Sequence, residues 1–336
     1  MPEPGFLVLR LGSLGDIAHT FPAVAALHAS FPDSEIVWLT DERWRLLVER
    51  SDLAGAVWSV NTRSWASIRE TVRRIRGRSW SAAVDYQGLW KSALFGFFGG
   101  VPRRIGFDSS CIREFGVPLV YTDRVAAKSP HVAEQNGELS LRAGARSGVA
   151  PFTLRVTPEE EAQRAATMAR AGLTRYCVLS PGGGWGSKCW PAERFGELCR
   201  RISSELGLRC VVNYGPGEEA LAESVRAASG GAEPVLDNSP LGPLMALLRK
   251  ADLIVGGDTG PLHLAVALGT PAVALFGPTD PVRNGPFRAA RTADIVLRSP
   301  AARTSYKRGS APDPAMLELT VDAVLDAVQR RLESPR

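Results

Sequence analysis

Leu253-Ile-Val-Gly-Gly-Asp-Thr-Gly-Pro-Leu-His-Leu264 decides how the rest of the chain is read. An apolar strand, expected over Asp252–Val255, breaks at Gly256-Gly257 and gives way at once to a helix at Pro261. Proline at a first helical position wastes no amide, and Asp258 or Thr259 is placed to cap the helix. Glycines 256, 257 and 260 carry no Cβ, so another group can approach the backbone closely. The amides and positive dipole end of a helix N-terminus suit a phosphate. A second strand, Pro271–Phe276, ends in another punctuated loop, Gly277-Pro-Thr-Asp-Pro281. Two such loops at the ends of neighbouring strands frame the crevice in which open α/β sheets bind ligands. Tight structural turns account for Gly-Asp-Thr-Gly alone; the run of polar loop residues from Asp258 to Pro281 favours a site.

The 336 residues around this stretch suffice for two domains of about 150 each. A hydrophobic fraction of 45% is that of an ordinary globular protein. The net charge of +5 fits anionic small molecules or a membrane surface and is too weak to argue for nucleic acid. Five cysteines, at 111, 177, 189, 199 and 210, show no Cys-x-x-Cys spacing, which points to free thiols in a reducing compartment. Arg10 interrupts the short apolar run near the N-terminus, where no basic leader precedes it. The runs near 93–101 and 264–278 are too short or too broken by Gly and Pro to span a bilayer. The expectation is a cytoplasmic protein.

At the other end of the chain, the strand Phe6–Leu11 runs into Gly12-Ser-Leu-Gly15-Asp16, the first βα turn of a nucleotide-type domain without the dinucleotide G-x-G-x-x-G pattern. Asp16 then stands on the first turn of a helix at the mouth of a sheet. Either it works there or it merely answers the helix dipole, and the residue alone leaves both open. Strands expected over 35–40, 56–60, 82–86, 103–107 and 117–121 alternate with helical patterns. In the helix expected over Ser64–Arg78, Trp65, Ile68, Val72 and Ile75 share one face, while Arg69, Arg73, Arg74, Arg76 and Arg78 fill the other. That basic face is either simply solvated or meets phospholipid or an anionic acceptor. Phe95, Phe97 and Phe98 read as core.

Thr157-Pro-Glu-Glu160 is a capping box that opens a helix, with an inter-domain linker expected near 148–151. The strand Tyr176–Ser180 leads into Pro181-Gly-Gly-Gly-Trp-Gly-Ser-Lys188, three glycines and a lysine ahead of a helix, which has the logic of a phosphate cradle without P-loop spacing. Val211–Tyr214 and Gly215-Pro-Gly-Glu218 repeat the strand–loop–helix arrangement, and the last helix, Leu317–Leu332, is amphipathic. His19, His28, His131 and His263 have no metal-ligand spacing, and no Ser-His-Asp or Cys-His set emerges.

Leu9-Arg-Leu-Gly-Ser-Leu-Gly-Asp16, Lys188-Cys-Trp-Pro191, Gly215-Pro-Gly-Glu218, Gly257-Asp-Thr-Gly-Pro-Leu-His263 and Leu275-Phe-Gly-Pro-Thr-Asp-Pro281, in this order, resemble glycosyltransferase family 9, the ADP-heptose:lipopolysaccharide heptosyltransferases. The resemblance covers nearly the whole chain. Asp85-Tyr-Gln-Gly-Leu-Trp-Lys-Ser92 and His131-Val-Ala-Glu134 look more like the enzymes that add the first heptose. It implies an α/β GT-B fold, two Rossmann-like domains facing across a cleft, with acceptor on residues 1–150, nucleotide sugar on 151–316 and the helix of 317–336 crossing back to the first domain. The implied reaction is an inverting, metal-independent and cofactor-free transfer from ADP-heptose to the Kdo inner core of lipid A. Its implied setting is the cytoplasm, with peripheral contact at the anionic inner face of the inner membrane.

Residue by residue, the resemblance makes Asp16 the general base and Lys188 the cation that neutralises the diphosphate. It places Gly183 and Gly184 against phosphate, Glu218 on the nucleoside and Asp258 on the donor sugar. Thr259 and Gly260 would offer backbone amides to phosphate, and His263 would support their loop. On the acceptor side the candidates are Arg63, Gln87, Lys91 and Arg113. A lysine and helix amides can stabilise a departing diphosphate without a divalent ion. A helix N-terminus also lowers a carboxylate's pKa, which turns Asp16 toward orienting the acceptor hydroxyl. Two departures stand out: Ala301-Ala-Arg-Thr-Ser-Tyr-Lys307 replaces a cysteine-rich segment, and Gln135 and Asn136 stand where the first-heptose enzymes would have an arginine. The competing readings are another GT-B glycosyltransferase, a sugar-nucleotide epimerase, which would want further acids, and a non-catalytic two-lobed binding protein.

Overall fold

Short strands, the central ones apolar runs buried on both faces, build two parallel sheets in the computed structural model, which describes residues 5–288 and 294–334. The chain divides into two units, Met1–Arg155 and Val156–Arg336. In the first, strands β1 (Gly5–Leu9), β2 (Ile36–Asp41), β3 (Ala56–Val60), β4 (Trp80–Asp85), β5 (Arg104–Phe107) and β6 (Asp123–Val125) alternate with helices α1 (Leu14–Ala18), α2 (Phe21–Ser30), α3 (Arg45–Glu49), α4 (Trp65–Arg76), α5 (Trp90–Phe98) and α6 (Val132–Ala143). The sheet order is β3-β2-β1-β4-β5-β6, the doubly wound arrangement whose switch point lies between β1 and β4. Leu7 and Leu9 of β1 pack with Ile75 of α4 and Phe95 of α5 on one face.

Several local expectations change. Val117–Val120 is a 3-10 turn rather than a strand, because Gly116 enters it at φ +82 and Pro118 has no amide for a ladder; the edge strand follows at Asp123–Val125. Phe95 is core as expected, whereas Phe97 and Phe98 are exposed, as is Trp65 at the head of α4. The first unit also runs past the expected linker. The Ala150 amide bonds Pro22 O (2.9 Å), Phe152 stacks on Phe21, and the Arg155 amide bonds Arg50 O (2.8 Å).

The second unit holds β7 (Tyr176–Ser180), β8 (Arg209–Asn213), β9 (Val235–Asp237), β10 (Leu253–Gly257), β11 (Ala272–Phe276) and β12 (Ile295–Arg298). Its helices are α7 (Pro158–Arg170), α8 (Ala192–Leu206), α9 (Glu219–Ala227), α10 (Leu241–Lys250), α11 (Gly260–Ala267), α12 (Pro281–Asn284), α13 (Pro314–Leu317) and α14 (Val321–Glu333). The order β12-β11-β10-β7-β8-β9 repeats that of the first sheet, with the switch point between β10 and β7.

The last helix corrects the expectation that it crosses to the first domain. Val321, Val324, Leu325 and Val328 form a stripe at helical spacing, buried against Leu198, Cys199 and Ile202 of α8 in the core of the second unit. That helix starts at Val321, where the Thr320 hydroxyl accepts from the Ala323 amide, and not at Leu317. Among the described residues, no helix is long and apolar enough to cross a membrane.

Candidate active site

In the second unit the switch point gathers one charged cluster. Lys188 ends a 3-10 turn in the loop after β7, and Asp258 directly follows β10. The Lys188 Nζ stands 2.6 Å from Asp258 Oδ2, and His263 Nε2, one turn into α11, lies 2.9 Å from Asp258 Oδ1. All three side chains are largely buried. Burial pushes the Asp258 carboxyl up, but the hydrogen bond and charge of His263 and the charge of Lys188 outweigh it and hold the carboxyl well below the usual carboxylate range. The cluster therefore keeps a buried anion between two nitrogen groups.

The glycines of the opening stretch serve this approach. A Cβ on Gly257 would stand 2.9 Å from the Lys188 carbonyl oxygen and one on Gly256 3.2 Å from Ser180, so the protein's own β7 loop fills the space they leave. Gly183 lies against Thr259, whose Cγ2 would be 3.4 Å from an added Cβ, while Gly184 faces open space. Thr259 occupies the N-cap position of α11 without capping through its side chain, and its hydroxyl is buried with no partner. Asp258, the other expected cap, is committed to Lys188 and His263. Gly260 opens the helix. Glu218 lies in the neighbouring loop after β8, its Oε2 accepting from the Gly215 amide (2.7 Å), and Gly182 has no room for a Cβ beside its carboxylate.

Three further groups here escaped the sequence reading. The Ser187 and Thr279 hydroxyls are, like that of Thr259, buried without a partner. Arg308 lies 5.5 Å from the Trp185 ring centroid and Lys188 Nζ 4.4 Å from it, so a second cation joins the cradle. Arg308 directly follows the segment Ala301–Lys307. The next residue braces the Lys188 turn, the Ser187 amide bonding Gly309 O (3.1 Å).

In the first unit, Asp16 sits in the first turn of α1, receiving hydrogen bonds from the Ser13 amide (3.0 Å) and hydroxyl (2.8 Å). Its other oxygen pairs with Arg10 Nη2 at 2.8 Å. Arg10 is almost fully buried and also donates to the Tyr86 carbonyl, so a guanidinium bridges the ends of β1 and β4 beneath Asp16. The one signal for this in the sequence is a charge at the end of an otherwise apolar strand. Gln87 joins the same corner, its Oε1 accepting from the Leu11 amide at 2.7 Å.

The other acceptor candidates lie further out. Lys91 is exposed on α5 and within electrostatic reach of Asp41. Arg113 is exposed in the loop after β5, where its neighbour Glu114 accepts from the Trp90 amide (2.7 Å). Arg63 is exposed beyond β3, two strands from β1. Asn136 is buried and donates to His19 O (3.2 Å), while Gln135 donates to Ser129 O (2.8 Å); both tie α6 in place. Among the described residues, no group of three or more His, Cys, Asp or Glu is disposed to hold a metal ion.

Two doubly wound parallel sheets, with ionic groups held at both switch points, define an enzyme of the GT-B class. Residues 68–310 match the model of glycosyltransferase family 9 (heptosyltransferase), and the chain belongs to that family. Over 326 residues it is 28% identical to lipopolysaccharide heptosyltransferase 1 of Escherichia coli O18:K1:H7, covering 91% of this chain and 94% of that protein. In fold it is similar to the family 9 glycosyl transferase of Veillonella parvula, with a TM-score of 0.85, 21% identity and coverage of 99% and 98%. It is likewise similar to E. coli ADP-heptose lps heptosyltransferase II, with a TM-score of 0.81, 21% identity and 98% of each chain covered.

Proposed function

We propose that this chain transfers a heptose from ADP-heptose to the Kdo inner core of lipid A, with inversion and without a divalent ion, as the first-heptose enzymes of lipopolysaccharide core assembly do. The observation that carries the reading is the Lys188–Asp258–His263 cluster at the second switch point, beside buried, unpartnered hydroxyls and the N-terminus of α11. As the bond from the anomeric carbon to the diphosphate breaks, negative charge collects on the leaving ADP. Lys188, the α11 amides at Thr259 and Gly260, and the Thr259 hydroxyl are preorganised donors for that charge. Gly183 and Gly184 let the diphosphate approach, and Glu218 accepts from the nucleoside. Asp258 aims Lys188 and retains acceptor capacity for a hydroxyl of the donor sugar.

On the first unit, the Arg10 pair and the Ser13 hydrogen bonds hold Asp16 as an oriented anion. In our reading it directs the acceptor hydroxyl at the anomeric carbon and receives its proton as the new bond forms. Gln87, with its oxygen taken by Leu11, offers only its NH2 group to the acceptor. Lys91, Arg113 and, at longer range, Arg63 match an acceptor rich in carboxylates and phosphates, and the basic face of α4 meets the anionic membrane that carries it.

Incubation with ADP-heptose and a Kdo-bearing lipid A, product masses being read, should show addition of one heptose, undiminished by chelator. Transfer only from another nucleotide sugar would replace the donor. Isomerisation of a nucleotide sugar without acceptor would favour the epimerase reading. Activity lost in chelator and restored by magnesium would overturn the account of the leaving group.

A further inference from the structure

Every exposed Trp and Phe among the described residues falls between 65 and 115 of the first unit: Trp65, Trp90, Phe97, Phe98 and Phe115, with Leu119 beside them. Trp65 is 79% exposed and Phe115 98%. Trp65, Phe98 and Phe97 adjoin one another along α4, Trp90 and Phe115 meet at the start of α5, and the two groups together make an exposed aromatic ridge. A groove of about 410 Å³ along α4 is lined by Trp65, Ile68, Val72 and Phe98, with Arg69, Arg73 and Arg76 between them. The Phe98 carbonyl accepts from Arg76 Nε (2.8 Å), and its ring lies 5.4 Å from that of Phe97. Phe97 is two helical turns from Trp90 on α5, and the Trp90 indole donates to the Phe115 carbonyl at 3.2 Å.

We propose that this ridge inserts into the headgroup–acyl boundary of an anionic phospholipid bilayer. Exposed apolar side chains gathered in this way mark an interaction site. Tryptophan and phenylalanine are side chains that anchor proteins at that boundary. Arginines interleaved with them lay their stems on the apolar surface and their heads among lipid phosphates. Glu70 pairs with Arg73 and Glu114 holds the Trp90 amide, so the positive charge of the groove rests on Arg69 and Arg76. A second copy of the chain fits worse, because a two-fold contact would set these arginines against their own equivalents. The arginines supply attraction, and the aromatics supply a part of the binding that salt leaves intact. The proposal rests on the functional reading only in that a lipid-borne acceptor gives the enzyme a reason to dock.

The test compares the wild type with Trp65→Ser/Phe98→Ser/Phe115→Ser, none of which serves the reaction. On vesicles of phosphatidylglycerol and phosphatidylethanolamine, the triple variant should sediment with an affinity lower by about tenfold or more, at low and at high salt, with an unchanged melting temperature. Lipids brominated near the headgroup should quench the fluorescence of wild type, and of Trp65→Ser less. Activity on a deacylated, water-soluble Kdo acceptor should be the same for both proteins, so loss of that activity in the wild type would strike the functional reading and not the ridge. Equal vesicle binding by the two proteins, or no quenching, would overturn the proposal. So would wild-type self-association abolished by the serines, which would make the occupant a second copy.

Discussion

Asp85 and Asp258 occupy equivalent places in the two halves of this chain. Asp85 is the last residue of the fourth strand in the first sheet, and Asp258 follows the fourth strand of the second; both strands lie at the switch point. Both carboxyls are buried, and burial raises the pKa of each. Their partners then separate them. Asp85 accepts from the Gln87 and Gly88 amides and from the Ser92 and Tyr121 hydroxyls, all neutral donors. These four hydrogen bonds only reduce the upward shift, so its pKa stays raised. Asp258 accepts from Lys188 and lies against His263, and ends well below the usual range. At Asp85 neutral hydrogen bonds leave the upward shift of burial in place, whereas at Asp258 the hydrogen bond and charge of His263 together with Lys188 overcome it. One site becomes a brace for the Gln87 loop, the other an electrostatic centre.

The largest effect should come from removing the charge that distinguishes the second site. Lys188→Met should lower turnover by about 10²–10³-fold and weaken ADP binding measured by calorimetry. It should also destabilise the second unit by about 3 kcal/mol, because a buried carboxylate loses its ammonium. Unchanged ADP affinity would place Lys188 away from the diphosphate.

Asp16→Asn, in the other half, should cost about 10²-fold in turnover while leaving ADP-sugar affinity intact. A parallel loss of donor binding would contradict the division of labour between the halves.

The comparison itself predicts opposite pH slopes. Asp258, with its pKa depressed in the fold, contributes stability that is present above its unfolded value of about 3.8 and is lost as pH falls through the folded value. Asp85, with its pKa raised, contributes stability that is present below about 3.8 and is lost as pH rises through the folded value. Denaturant titrations across pH should therefore show the advantage of wild type over Asp258→Asn shrinking toward acid, and its advantage over Asp85→Asn shrinking toward neutrality. Parallel slopes would break the contrast.

The smallest change in stability should follow Arg69→Gln/Arg73→Gln/Arg76→Gln, under about 1 kcal/mol, since exposed charges contribute little to folding. The apparent KM for the lipid-borne acceptor should rise, that for the nucleotide sugar should not, and the difference should fade with salt. A triple variant that matched wild type on anionic liposomes at low salt would reduce this face to ordinary solvation.

The sequence by itself determined that the chain is two β/α halves, because strands buried on both faces read as apolar runs and the loops ending them carry glycines and polar residues. Lys188, Asp258 and Thr259 could be picked out for the same reason: they lie in loops at the carboxyl ends of strands that a parallel sheet must bring to one edge. His263, inside α11, came only from the family resemblance. Which side chains meet at that edge is a non-local matter, and only the tertiary structure decided it. Arg10 on the Tyr86 carbonyl, Arg308 on Trp185 and the Tyr121 hydroxyl on Asp85 join residues far apart in the chain. Periodicity showed that Trp65, Phe97 and the face of α14 are apolar, but not whether another surface covers them. For α14 the second unit's own α8 does; Trp65 and Phe97 stay exposed. An apolar stripe is written in local spacing, while its partner is set by how distant elements pack.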